Sequence, residues 1–175
     1  SSDLGNRRVR ETGLEAIVTQ QRIGQATDYI RDDAPLTWHY LERHAAALDG
    51  RKSSIYRGKP RFSVFGVGDY TFTGWKVAIS GFYKCLKFQV VGPINGKPAV
   101  FDDTIYFLSA RTEAEARFLA DLLNSKPCQE FLQSMVFWSD KRPITADLLK
   151  RADLEKLAAC LNRGDEYRRF TGQPI

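Results

Sequence analysis

Apolar residues change their spacing along the chain, and each spacing predicts a different element. Between residues 36 and 49 they recur at steps of three, four and three, at Trp38, Leu41, Ala45 and Leu48. This is helical spacing, and it predicts a helix that ends at Gly50. Upstream, residues 15–30 hold short β-prone runs broken by glutamine and glycine, which favour one or two strands.

The middle of the chain consists of short runs of β-branched and aromatic residues. Six runs are separated by glycine, aspartate and the turn Asn95-Gly96, at residues 62–68, 70–73, 75–80, 87–92, 98–101 and 104–109. Runs of this length with such punctuation predict a multi-stranded, largely antiparallel sheet.

The last third has helical spacing and recognisable helix starts. Thr112 with Glu115 forms a capping-box pattern, Pro127 suits a first helical turn, and Thr145 can cap a third helix. The fold class predicted is α+β, with a curved sheet flanked by one helix before it and a bundle of about three helices after it. The boundaries predicted are a flexible segment at 1–13, one domain at 14–162 and a tail at 163–175.

Charge is concentrated in residues 51–88. This segment holds eight basic residues and one acid, Asp69, so it carries +7 while the whole chain carries +5. Nine aromatic residues are interleaved with these cations. Cations neutralise phosphates and aromatic rings position bases or sugars, so the mixture is typical of a nucleic-acid-facing surface. The alternative is that the aromatic residues form part of the apolar core and that the cations lie on the solvated surface around it.

Other features restrict the class of protein. The pI of about 9.2 favours an anionic partner, and with no apolar run near 18 residues, nucleic acid is preferred to a membrane. Cys85, Cys128 and Cys160 stand singly, which favours a reducing cytoplasm over a disulfide framework. His39 and His44 are five apart on a predicted helix, a poor spacing for zinc. The only methionine is Met135, so we expect the chain to be an excerpt of a larger polypeptide.

Three short motifs need a structural explanation. The glycines after Phe65 lack the following helix of a nucleotide-binding loop, and they are interpreted as a turn or bulge that lets DNA or another strand approach. The pair Asp102-Asp103 could hold Mg²⁺ in a nuclease, but it lacks the nearby lysine of such sites and is interpreted as a turn between strands. The basic loop at Lys141-Arg142 suits either a phosphate contact or a plain surface loop.

Six ordered blocks together are more specific than any one motif. They are R-K-S-S-I-Y, F-S-V-F-G-V-G-D-Y-T-F, W-K-V-A-I-S-G-F-Y-K, F-D-D-T-I-Y-F-L, L-L-N-S and D-K-R-P-I-T. In this order and spacing, from about Pro35 to Leu157, they resemble the C-terminal target recognition domain of bacterial N6-adenine DNA methyltransferases of the type II and Eco57I-like restriction-modification group.

The resemblance implies that the segment grips and reads double-stranded DNA, while an N-terminal methyltransferase domain of the same polypeptide binds S-adenosylmethionine and transfers the methyl group. The chain has no N-P-P-Y or D-P-P-Y tetrapeptide and no F-x-G-x-G loop. No catalytic residue, cofactor-binding residue or metal ligand is therefore predicted within it. A protein-docking domain and a metal-dependent nuclease remain the alternatives.

The predicted DNA contacts are mainly cations of the basic segment and of the later basic loop: Arg51, Lys52, Ser53, Tyr56, Arg57, Lys59, Arg61, Lys76, Lys84, Lys141 and Arg142. Strand alternation directs Lys76 away from Val77 and Ile79, so it is expected on an exposed face with Lys59 and Arg61. Those three are predicted to contact phosphates, and Arg57 to read a base.

Overall fold

A computed structural model of the protein describes residues 15–172. The chain separates into two compact units, whose described parts are residues 15–72 and 73–172. We call them the N-terminal unit and the C-terminal unit, and each has its own apolar core. The segment expected to be flexible, 1–13, lies outside the described residues. Within 15–172, no helix is both long enough and apolar enough to cross a membrane.

The N-terminal unit is built from short helices and turns. Its α-helices are α1 (Tyr29–Asp33), α2 (Pro35–Arg43) and α3 (Ala45–Asp49), followed by 3₁₀ turns at Ser54–Tyr56 and Asp69–Phe72. Its core is formed by the buried residues Ile30, Trp38, Leu41 and Phe62. The helix predicted over 36–49 is confirmed, with a break at His44, and Gly50 caps its end. The strands expected within 15–30 are wrong, because residues 15–28 pair with no strand and α1 begins at Tyr29.

The C-terminal unit contains an open antiparallel sheet. Its strands are β1 (Trp75–Ser80), β2 (Gln89–Val91) and β3 (Ile105–Ala110), in the order β2-β1-β3. Val77 pairs with Val90 on one side and with Leu108 on the other. The central strand β1 therefore has a neighbour along each of its edges, and its four middle residues are all buried.

Helices follow the sheet in the C-terminal unit. They are α4 (Glu113–Asn124), α5 (Lys126–Gln133), α6 (Ala146–Leu149), α7 (Leu154–Cys160) and α8 (Gly164–Thr171), and α4 contacts all three strands. The predicted caps at Thr112 and Thr145 are confirmed, since each side-chain oxygen accepts a hydrogen bond from the N–H three residues later. Within residues 73–172, five helices replace the three predicted, and α8 lies in the segment expected to be a tail. The α+β class is confirmed.

Three of the six predicted strands are wrong. Residues 62–68 cannot stay extended, because Phe62 and Gly66 both have positive φ, at 61° and 68°. Residues 70–73 lie largely in the second 3₁₀ turn. Residues 98–101 begin at Pro98, whose nitrogen has no hydrogen to donate to a sheet, and they pair with no strand among the described residues.

The end of α4 fixes the start of β2. Asn124 donates to the Phe88 main-chain oxygen at 2.9 Å and accepts from the Phe88 N–H at 3.0 Å. Both main-chain groups of Phe88 are thus satisfied by one amide side chain, in the manner of a neighbouring strand. The L-L-N-S block therefore contributes scaffolding through Asn124.

Candidate nucleic-acid interface

The basic loop at residues 51–60 is closed at its base by Arg51. Its guanidinium donates from Nε to the Leu48 oxygen at 2.7 Å and from one terminal nitrogen to the Ser63 oxygen at 2.8 Å. The same group stacks on Tyr56, with Cζ 3.8 Å from the ring centroid. Arg51 and Tyr56, both predicted DNA contacts, thus hold each other and the ends of the loop.

The loop itself presents three cations to solvent. The side chains of Lys52, Arg57 and Lys59 are exposed, and within residues 15–172 none of them has an ion pair or a side-chain hydrogen bond. Ser53 is exposed beside them. Unpaired cations close together on one short loop create a positive potential that suits a polyanion. Lys52, Arg57 and Lys59 are called the loop cations below.

Arg61 behaves differently from the loop cations. It forms a two-pronged hydrogen bond with Asp49, at 3.2 Å from Nε and 3.0 Å from the terminal nitrogen. Both side chains are about half exposed, so the pair is open to water and to salt. Its charge is nonetheless compensated locally, which makes it a weaker phosphate contact than the loop cations.

Three buried polar side chains tie segment 19–27 to segment 61–64. Thr19 donates to the Phe62 oxygen at 2.5 Å, Thr27 donates to the Arg61 oxygen at 2.6 Å, and Gln20 accepts from the Val64 N–H at 3.0 Å. All three are at most 2% exposed. Hydrogen bonds of this kind satisfy main-chain groups that have no sheet partner. Sequence reasoning missed these residues, because uncharged side chains in a polar stretch carry no local signal.

These ties shape an apolar groove of about 270 Å³ next to the loop. Gln20 lies in it together with exposed Ile23, Ile55 and Phe65, and Lys59 lines it as well. The amide of Gln20 is engaged on both sides, by the Val64 N–H and by the Gln25 oxygen. Tyr56 and Ser63 also line the groove, and the Ser63 hydroxyl donates to the Pro60 oxygen. The groove therefore offers mainly apolar surface, the Tyr56 hydroxyl and one cation.

The prediction that Lys76 lies on an exposed face is wrong. It is 1% exposed, and its Nζ donates to the Thr73 oxygen at 2.6 Å and lies 5.7 Å from the centroid of the Phe107 ring. Alternation does turn it away from Val77, but both faces of central strand β1 are covered, so Ala78 is buried too. Burial lowers the pKa of Lys76 from its ordinary value of 10.5. Its ammonium is not available at the surface.

The other predicted cations belong to the C-terminal unit. Lys84 and Lys141 are exposed. Arg142 is engaged, because it pairs with Asp103 at 3.3 Å and lies 4.6 Å from the Phe82 ring centroid. The hydrogen bond to Asp103 raises the pKa of Arg142 above its ordinary value. The side chain of Arg142 thus fixes the loop after β1 to the turn before β3.

The acidic pair before β3 is accounted for by a turn. Asp102 accepts from the Thr104 N–H at 2.9 Å and from the Thr104 hydroxyl at 2.5 Å, which lowers the pKa of Asp102. Asp103 is the partner of Arg142. Among the described residues, no group of three or more His, Cys, Asp or Glu side chains is placed to hold a metal ion.

One curated protein shares sequence with nearly the whole chain. The chain is 51% identical to the Type II methyltransferase M.NspV of Nostoc sp. over 157 residues, which are 90% of the chain. The chain is related to this Type II methyltransferase. It spans 33% of the length of that protein. No family model matches the chain, and no solved structure matches it.

Proposed function

We propose that this chain is the DNA-binding, target-recognition part of an S-adenosylmethionine-dependent N6-adenine DNA methyltransferase of a restriction-modification system. The observation that carries the proposal is the set of three exposed, unpaired loop cations on a loop whose ends are fixed by Arg51. A fixed loop loses little conformational freedom when it binds, so its cations are presented at low entropic cost.

The relationship to M.NspV supports the methyltransferase half of the proposal, since half of the aligned residues are identical. The chain corresponds to a third of that protein, which fits a part that binds and reads DNA while another part of the polypeptide binds the cofactor and transfers the methyl group. Double-stranded DNA and that methyltransferase domain are the proposed partners, and the proposed place of action is the cytoplasm.

The test is the salt dependence of DNA binding by the 175-residue chain. If about four to six phosphates are contacted, the logarithm of the association constant should fall against the logarithm of salt concentration with a slope of roughly −4 to −5. We expect a dissociation constant in the micromolar range or weaker, because this part of the enzyme contacts the DNA from one side only. Binding without salt dependence would contradict the proposal.

A protein-docking role is the competing function. Large apolar side chains are exposed in both units, among them Leu36 at 87% and Phe137 at 74%. Surfaces of this kind suit a partner protein. Salt-insensitive binding to a methyltransferase or restriction subunit, with no retention of DNA, would favour this role over DNA recognition.

A further inference from the structure

We infer that the apolar groove of the N-terminal unit receives an unstacked nucleobase of bound DNA, with the Phe65 ring as its stacking partner and Lys59 on an adjacent phosphate. The inference rests on the proposed DNA-binding function and adds a specific ligand chemistry to it. It concerns a residue, Phe65, that the charge pattern does not single out.

The lining of the groove is mainly apolar, although it lies beside three unpaired cations. Ile23 is 61% exposed and Phe65 is 63% exposed, although neither contributes to the core of the unit. Exposed apolar side chains forgo the hydrophobic stabilisation that burial would provide. Two such side chains in one groove together form an apolar surface that a planar ligand can cover.

Buried hydrogen bonds fix the shape of the groove. Gln20 in its lining is fully buried and binds the main chain on both sides, at Val64 and at Gln25. Thr19 and Thr27 hold the same two segments together. A groove of about 270 Å³ has room for about nine waters at their share of liquid volume, which is enough to admit a purine ring.

The chemistry of the lining favours the face of a base over its edge. Ile23, Ile55 and Phe65 offer no donor or acceptor side-chain group, and the polar groups of Gln20 and Ser63 are occupied by main-chain partners. Tyr56 adds one hydroxyl, but its ring already stacks on Arg51, which leaves Phe65 as the available aromatic face. Aromatic side chains bind bases of any sequence by stacking, because every base has a π-face. Lys59, which lines the groove without an ion pair among the described residues, supplies the charge that the phosphate of the same nucleotide requires.

The experiment compares two DNA duplexes that differ by one unpaired adenine, using the 175-residue chain and fluorescence anisotropy at one salt concentration. A bulged base is already unstacked, so the cost of extracting it is absent. We expect the bulged duplex to bind about fivefold or more tightly than the matched duplex, in line with the contribution of one stacked base. Phe65→Ala should abolish this preference and Phe65→Trp should keep it.

Two control variants separate the parts of the site. Leu36→Ala removes a more exposed apolar side chain of the same unit and should leave the preference unchanged. Lys59→Ala should weaken binding to both duplexes while retaining the preference. Equal affinity for the two duplexes, or an intact preference in Phe65→Ala, would assign the groove to another occupant such as a protein segment and overturn this inference alone. Failure to bind either duplex would overturn the proposed function together with it.

Discussion

Arg51 stacks on Tyr56 with its guanidinium carbon 3.8 Å from the ring centroid. Both residues lie in the R-K-S-S-I-Y block, and both have the chemistry of a DNA contact. Their mutual contact, with the two main-chain bonds of Arg51, instead gives them the task of holding the loop that carries the loop cations. This division between positioning and contacting residues is directly testable.

Arg51→Lys should separate the two roles. Lysine keeps the charge but lacks the planar fork that binds two oxygens and stacks on a ring. We expect the affinity for duplex DNA to fall roughly threefold to tenfold, about the value of one lost hydrogen bond, with the salt slope unchanged. Arg61→Lys, at an exposed pair, is the control and should change little. Arg51→Ala removes the charge as well, and a slope reduced in magnitude by about one unit in Arg51→Ala relative to Arg51→Lys would show that Arg51 itself contacts a phosphate.

Removing a loop cation should act through charge. Lys59→Ala should weaken binding about equally on all duplexes and reduce the magnitude of the salt slope by about one unit, measured by titration at several salt concentrations. Lys156→Ala removes an exposed lysine paired with Asp153 in the C-terminal unit and serves as the control. If Lys59→Ala leaves the salt slope unchanged, Lys59 does not contact the phosphate backbone of the DNA.

Arg57 is expected to read a base instead. Arg57→Ala should cost roughly 1–3 kcal/mol of binding free energy on a preferred duplex, selected from a randomised pool, and much less on a scrambled one. An equal loss on both duplexes would place Arg57 with the phosphate contacts.

The buried ammonium of Lys76 should make stability depend on pH in a defined direction. Its pKa in the folded chain lies below the ordinary 10.5. Between these two pKa values the unfolded chain binds more protons at this position than the folded chain, so the free energy of unfolding rises with pH. Below that interval both states are protonated and the cost of burying the charge is present in full.

Lys76→Met removes this titration. The free energy of unfolding of the wild type, minus that of the variant, should therefore increase as the pH rises from neutral toward 10.5. Urea unfolding of both proteins at several pH values measures the difference. A difference that is constant with pH would show that the Lys76 ammonium is not desolvated in the folded chain.

The close approach of the Trp75 ring requires glycine at position 92. A Cβ at position 92 would lie 2.7 Å from one carbon of the Trp75 ring, which forces the ring or the main chain to move. We expect Gly92→Ala to lower the free energy of unfolding by about 1–3 kcal/mol. Gly74→Ala is the matched control, since its Cβ would meet nothing within 4 Å, and it should be neutral or slightly stabilising. Equal effects of the two substitutions would contradict the packing argument.

The sequence by itself determined the elements that depend on near neighbours. Thr112 and Thr145 accept hydrogen bonds from residues three positions away, and the helix before the sheet follows from apolar steps of three and four. The concentration of charge in residues 51–88 also located the basic loop, because charge density is a property of composition. The α+β class follows from these local signals.

Only the tertiary structure decided which cations are free. Gln20 reaches a main-chain group 44 positions away, and Arg51 reaches one 12 positions away, so no local pattern could reveal that the loop is fixed. Lys76 obeys strand alternation and is still buried, because burial depends on what covers a face and not only on which face a side chain takes. Local sequence sets the conformation of a segment, whereas exposure, pairing and pKa are set by residues that the fold brings in from elsewhere.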